Sequence, residues 1–229
     1  MKRIAFSLAL LLLSYCTPNR DQLAQVGVNP ILLVFGFDIS KSHVLTSVFD
    51  STQLNLLETI LTTSGREIVI ASRSIGDTNY SFFSRQRLKP VFPINYDADL
   101  HTQVKQKKAA EHVKRSNALA LLAFKRFYNE IISRQSTNRY TDLNDFADRA
   151  LQLIQEPQFA SFDKYVILHT DGVHDLGNDS GLDCNFSEIP SLRLCTVGWS
   201  SSEKCKAIDS YEFESFDGFI DFIIEQLNQ

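Results

Sequence analysis

Two stretches of this chain, Ile31-Leu32-Leu33-Val34-Phe35 and Tyr165-Val166-Ile167-Leu168, carry no charged residue and no alternation of polar with apolar. A strand that is apolar at every position is buried on both faces, which calls for a sheet covered by helices on both sides. The intervening sequence supplies such helices. Apolar residues recur at helical spacing over Val44–Leu61, at Val44, Leu45, Val48, Leu54, Leu57, Ile60 and Leu61. His101–Arg134 contains neither Gly nor Pro, and Leu119, Leu122, Phe124, Phe127, Tyr128 and Ile131 mark its expected apolar side. Asp142–Ile154 places Leu143, Phe146, Ala150, Leu151 and Ile154 on one face, and Phe219–Leu227 closes the chain as an amphipathic helix. Glu67–Ser72 and Leu192–Val197 read as further strands, and Tyr80–Phe92 as either an edge segment or a loop. The alternation predicts an α/β fold, doubly wound, with a mostly parallel central sheet flanked by helices.

The first residues are of another kind. In MKRIAFSLALLLLSYC, Lys2 and Arg3 precede an apolar run from Ile4 to Leu13, shorter than the roughly 20 apolar residues that span a bilayer. That layout is the one of an export signal over residues 1–16, and its end resembles the lipobox of bacterial lipoproteins, in which Cys16 would be lipidated. A plain cleaved signal is the alternative. Residues 17–29 then form a polar tether and residues 30–229 the folded domain. The expected location is the cell envelope, lipid-anchored to a bacterial membrane, or secretion. Thr17 after the Cys leans toward the outer membrane, because an Asp there marks inner-membrane retention in enteric lipoproteins. The net charge of −4 gives no reason to expect nucleic acid.

Export also bears on Cys184, Cys195 and Cys205, since an oxidising compartment allows one disulfide among them. Cys195 lies in the apolar segment LRLCTVGW and is expected in the core, leaving Cys184–Cys205 as the pair; three unpaired cysteines is the other reading. Their spacing matches no zinc pattern.

In a doubly wound sheet, ligands bind outside the carboxyl ends of the strands. Two polar clusters fall there. Asp38-Ile39-Ser40-Lys41-Ser42 follows the first apolar strand, and His169-Thr170-Asp171-Gly172 follows YVIL. Between them Tyr140-Thr141-Asp142-Leu143 opens a helix, for which Thr141 is a candidate N-cap.

These three segments resemble the metal-ion-dependent adhesion site of the von Willebrand factor type A (VWA) domain: its DxSxS signature, its threonine loop and its second-aspartate loop, in the family's order. The resemblance spans about residues 29–229. It departs from the family at Asn138-Arg139-Tyr140, where small residues are usual, and at Lys41, often a Gly. It implies that Ser40, Ser42 and Thr141 offer hydroxyls to a divalent cation while Asp38 and Asp171 bind it directly or through water. Mg²⁺ is the implied ion, with Mn²⁺ or Ca²⁺ as alternatives. Side chains at i, i+2 and i+4 of an extended segment point the same way, so Asp38, Ser40 and Ser42 can converge. Mg²⁺ takes an all-oxygen shell of few carboxylates, and neutral hydroxyls leave much of its charge unquenched. The implied function is a binding module, not an enzyme, that captures an acidic group of a partner protein.

Taken singly, the same residues are what caps and turns produce. Two rival functions remain: an Mg²⁺-dependent phosphohydrolase using the same carboxylates, and a metal-free VWA scaffold. Haloacid dehalogenase phosphatases carry a second Asp where this chain has Ser40, and no P-loop, GxSxG or HExxH pattern is present. His43, His169 and His174 read as local polar residues, and the acidic stretch with Asp175, Asp179 and Asp183 as a solvated loop. The basic run Lys105, Lys107, Lys108, Lys114 and Arg115 would suit anionic lipid, but reads first as the wet face of a long helix.

Overall fold

The computed structural model describes residues 29–40, 55–56, 58–59, 65–76, 82–134, 141–174 and 181–227. Six strands form one sheet: β1 (Ile31–Asp38), β2 (Ile68–Ile75), β3 (Ser84–Leu88), β4 (Asp163–His169), β5 (Leu192–Val197) and β6 (Asp209–Phe213). Their spatial order is β3-β2-β1-β4-β5-β6. All neighbouring pairs are parallel except β2 with β3. The helices are α1 (Leu100–Arg134), α2 (Leu143–Ile154) and α3 (Phe216–Leu227). The fold is α/β and doubly wound, as the apolar strands demanded.

Every residue of β1 and β2 is buried. Successive side chains of a strand alternate between faces, and the core divides accordingly. Leu33, Phe35 and Phe37 of β1 pack with Phe124, Tyr128 and Ile131 of α1 and Phe219, Ile220 and Ile223 of α3. On the other face Leu32 and Val34 meet Leu143, Phe146, Ala150 and Ile154 of α2. Burying side chains of this size contributes about 1.5–3 kcal/mol each. Cys184 and Cys205 are disulfide-bonded within this second layer, and Cys195 is free and buried. Burial pushes the Cys195 thiol up to about 12.

Two expectations are corrected. Leu119 and Leu122 are not core residues: they are 68% and 43% exposed, because α1 turns them away from the sheet. Of the two readings of Tyr80–Phe92 the structure selects the edge segment, as the antiparallel strand β3, whereas β6 at the opposite edge was not foreseen, since its Asp209 and Glu212 mask the alternation of Tyr211 with Phe213. The N-cap of α2 is Asp142, not Thr141.

Cys16, the export segment, most of the tether, Lys41 and Ser42 lie outside the described residues. So does most of the helix expected over 44–61, of which Asn55, Leu56, Glu58 and Thr59 are described and helical. Among the described residues no helix is long and apolar enough to cross a membrane.

Candidate metal centre

The strand order reverses between β1 and β4, so the loops leaving their carboxyl ends diverge, which is where sheets of this class hold their ligand crevice. Asp38 is the last residue of β1 and is fully buried at this point. Its Oδ1 accepts from the Ser40 backbone N–H at 2.8 Å, which turns the chain out of the sheet. The Thr141 hydroxyl, 103 positions away in sequence, donates to the same oxygen at 3.4 Å. Thr170, directly after β4, donates its hydroxyl to Oδ2 at 2.7 Å. Three segments thus meet on one carboxylate through neutral donors, and Ser40, Thr141 and Thr170 are all buried.

The Thr170-Asp171-Gly172 turn is held from several sides. The Thr170 oxygen accepts from Gly172 N–H at 3.0 Å, and Asp171 Oδ1 accepts from Val173 N–H at 3.0 Å. The Asp171 carbonyl accepts from Ser200 and Ser201 N–H, each at 2.9 Å, tying the turn to the loop after β5. Gly172 has φ +78°, and a Cβ there would lie 2.3 Å from the Trp199 indole, so only glycine fits. Asp171 itself is half-buried at the rim.

Thr141 is placed by the start of α2. Asp142 accepts from Asp145 N–H at 2.9 Å, and His174 Nδ1 accepts from Leu143 N–H at 3.3 Å, so two side chains cap the helix. With Asp142 serving as cap, the Thr141 hydroxyl is turned to Asp38. Phe146 rests directly on β1, because the Cβ that Gly36 lacks would lie 2.8 Å from its ring. Arg73 of β2, buried, pairs with Asp145 at 2.5 Å and fixes the same helix from the other side.

The structure therefore brings Asp38, Ser40 and Thr141 together and sets Asp171 beside them through Thr170. Two roles were missed. Thr170 stands in the polar cluster after YVIL, but its part as donor to Asp38 has no mark in the sequence beyond its position one step past YVILH. His174 reads as a loop residue, and nothing local marks it as a helix cap.

The chain matches no protein-family model and no curated protein. Solved structures similar to it include proximal thread matrix protein 1 from the mussel byssus, 14% identical over 87% of this chain and 45% of that one, with a TM-score of 0.40. A further structure of that protein has a zinc-occupied MIDAS motif, at 15% identity, the same coverage and a TM-score of 0.34. Manganese-loaded TRAP protein of Plasmodium vivax is 9% identical over 85% of this chain and 72% of that one, with a TM-score of 0.38. The chain spans less than half the length of the mussel protein. Likeness at this level adds nothing to what the sheet order shows directly.

The donor set has a definite chemical character. A buried carboxylate, the hydroxyls of Ser40, Thr141 and Thr170 and a carboxylate at the rim are all hard oxygens, the kind Mg²⁺, Mn²⁺ and Ca²⁺ take. Among the described residues no cluster of three or more His, Cys, Asp or Glu converges, so hydroxyl oxygens would have to make up most of the shell. The residues fit a hard divalent cation.

Proposed function

We propose that this chain is a metal-dependent protein-binding module of the VWA type, with Mg²⁺ held at the crevice between β1 and β4. Asp38, Ser40, Ser42, Thr141 and Asp171 would hold the ion, which supplies a positive charge that few carboxylates offset. The observation that carries this reading is the convergence of Ser40, Thr141 and Thr170 on the buried Asp38 carboxylate at the strand-order reversal. Its consequence is an attraction for an acidic group of a partner protein, with Asp171 at the rim beside the point of approach. In this reading the module binds rather than turns over.

The remainder of the proposal concerns location. The basic, apolar and small-residue layout ahead of Cys16 supports export with a lipid attached there, and Thr17 favours the outer membrane.

Calorimetric titration of the protein with Mg²⁺ tests the metal site. We expect a saturable heat that is abolished by Asp38→Ala and weakened by Thr141→Val. No heat with the native chain would leave a metal-free scaffold. Robust Mg²⁺-dependent hydrolysis of a generic phosphoester, lost in Asp38→Ala, would establish a phosphohydrolase instead.

A further inference from the structure

α1 is too long for the sheet it covers. Its 35 residues extend about 52 Å, whereas the eight residues of β1 extend about 27 Å. Phe124 packs on Phe35 and Tyr128 on Phe37, so α1 runs in the direction of β1 toward the metal pole. Asn117 marks where cover begins. It donates to the Lys89 carbonyl at 2.9 Å and accepts from Lys89 N–H at 3.0 Å, just past the end of β3. No residue from Leu100 to Ser116 is buried. That half of the helix projects past the sheet at the pole opposite Asp38. Asp99 caps its free end, and the segment before it is clasped by Gln103 and Gln106.

The outward face of α1 has a consistent character. Lys105, Lys108, Arg115, Leu119, Leu122 and Arg126 fall within about 100° of arc at helical spacing, and all six are exposed. Glu130 also falls within that arc and Glu111 about 20° outside it, so four cations face one acid along the stripe, while Lys107 and Lys114 lie on another side of the helix. Basic side chains interspersed with exposed leucines form the surface that enters the headgroup region of an anionic bilayer.

The path of the chain favours a bilayer over an acidic protein. Asn29 and Pro30 enter β1 at the pole where α1 projects, since Ile31 is level with Ile68, which pairs with Leu88. The sequence upstream carries Cys16, the lipid-attachment position of the location proposed above, on which this step rests. Residues 17–29 reach at most about 45 Å when extended, so a membrane holding a lipid at Cys16 lies within reach of the stripe.

We propose that the outer face of α1 is a docking surface for an anionic lipid bilayer. Laid along the membrane, the helix holds the domain down and leaves the crevice at its far end uncovered. This surface is independent of the metal site, so failure of one reading leaves the other standing.

The experiment is vesicle flotation of the full chain, with phosphatidylcholine alone and with phosphatidylcholine mixed with phosphatidylglycerol. A lipid at Cys16 contributes to both, so the readout is the ratio of the two partition coefficients. We expect the mixture to be strongly preferred, with the ratio falling about 100-fold in a Lys105→Gln, Lys108→Gln, Arg115→Gln variant and also in high salt. All three positions are exposed, so the variant should melt like the native chain. A ratio near one for the native chain, or a preference that survives the triple substitution, would overturn the proposal. Native protein that ignores the lipid composition but binds polyglutamate through these residues would reassign the face to an acidic protein.

Discussion

At the scale of single residues, the buried Asp38 carboxylate is the costliest group at the crevice, because its charge must be satisfied by whatever surrounds it. Thr170 does two tasks there, donating to Asp38 and accepting from Gly172 N–H. Thr170→Val keeps the shape and removes both. We expect a loss of about 2–3 kcal/mol in urea denaturation; an unchanged midpoint would show that the hydroxyl is not needed. Cys195 makes a contrasting case. It is fully buried with its thiol pushed up to about 12, so the reactive thiolate is scarce near neutral pH. A chromogenic disulfide reagent at pH 8 should leave it unmodified in the native chain and titrate it after denaturation. Asp38, Ser40 and Asp171 could be singled out in the sequence because acids and hydroxyls at the ends of apolar strands are out of place, and Thr141 through the motif resemblance. Thr170 stood in the same polar cluster, but nothing local gave its hydroxyl the part of donor to Asp38.

At the scale of elements, the position of α2 decides where Thr141 lies. Gly36 lets the Phe146 ring rest against β1, and Asp142 and His174 cap the first turn. Gly36→Ala forces the ring, and with it the helix, outward. We expect about 1–3 kcal/mol of destabilisation, and Mg²⁺ affinity should fall as well because Thr141 moves with the helix. Paired denaturation and calorimetry check this, and an unchanged affinity would uncouple the helix from the site. Elements with a strong pattern were legible, the strands as apolar runs and the helices by their periodicity: β1, β4, β5, α1 and α2 fall close to their expected limits. The failures have physical causes. Leu119 and Leu122 were assigned inward because six apolar positions on α1 span more of the helix than one sheet can cover. Thr141 and Asp142 are adjacent and both can cap; Asp is the better cap of the two, and the bond from Thr141 to Asp38 reinforces that choice. β6 is a short, half-exposed edge strand whose acids hide its alternation.

At the scale of the whole molecule, two poles emerge. One carries the crevice at the carboxyl ends of β1 and β4; the other carries the chain entry at Asn29 and the projecting half of α1. The doubly wound class could be read from the apolar strands, but the strand order could not, since crossover choices leave no local trace in the sequence. That order is what turns three separated motifs into one site, by setting β4 beside β1. The account therefore rests on a divalent ion being held where those strands part. The most direct measurement is anomalous diffraction from crystals grown with Mn²⁺, which scatters where Mg²⁺ does not. We predict one strong peak within about 2.0–2.6 Å of hydroxyl oxygens of Ser40 and Thr141, absent from Asp38→Ala crystals. Crystals of the native chain with no peak at that crevice, or with manganese bound only elsewhere, would contradict it.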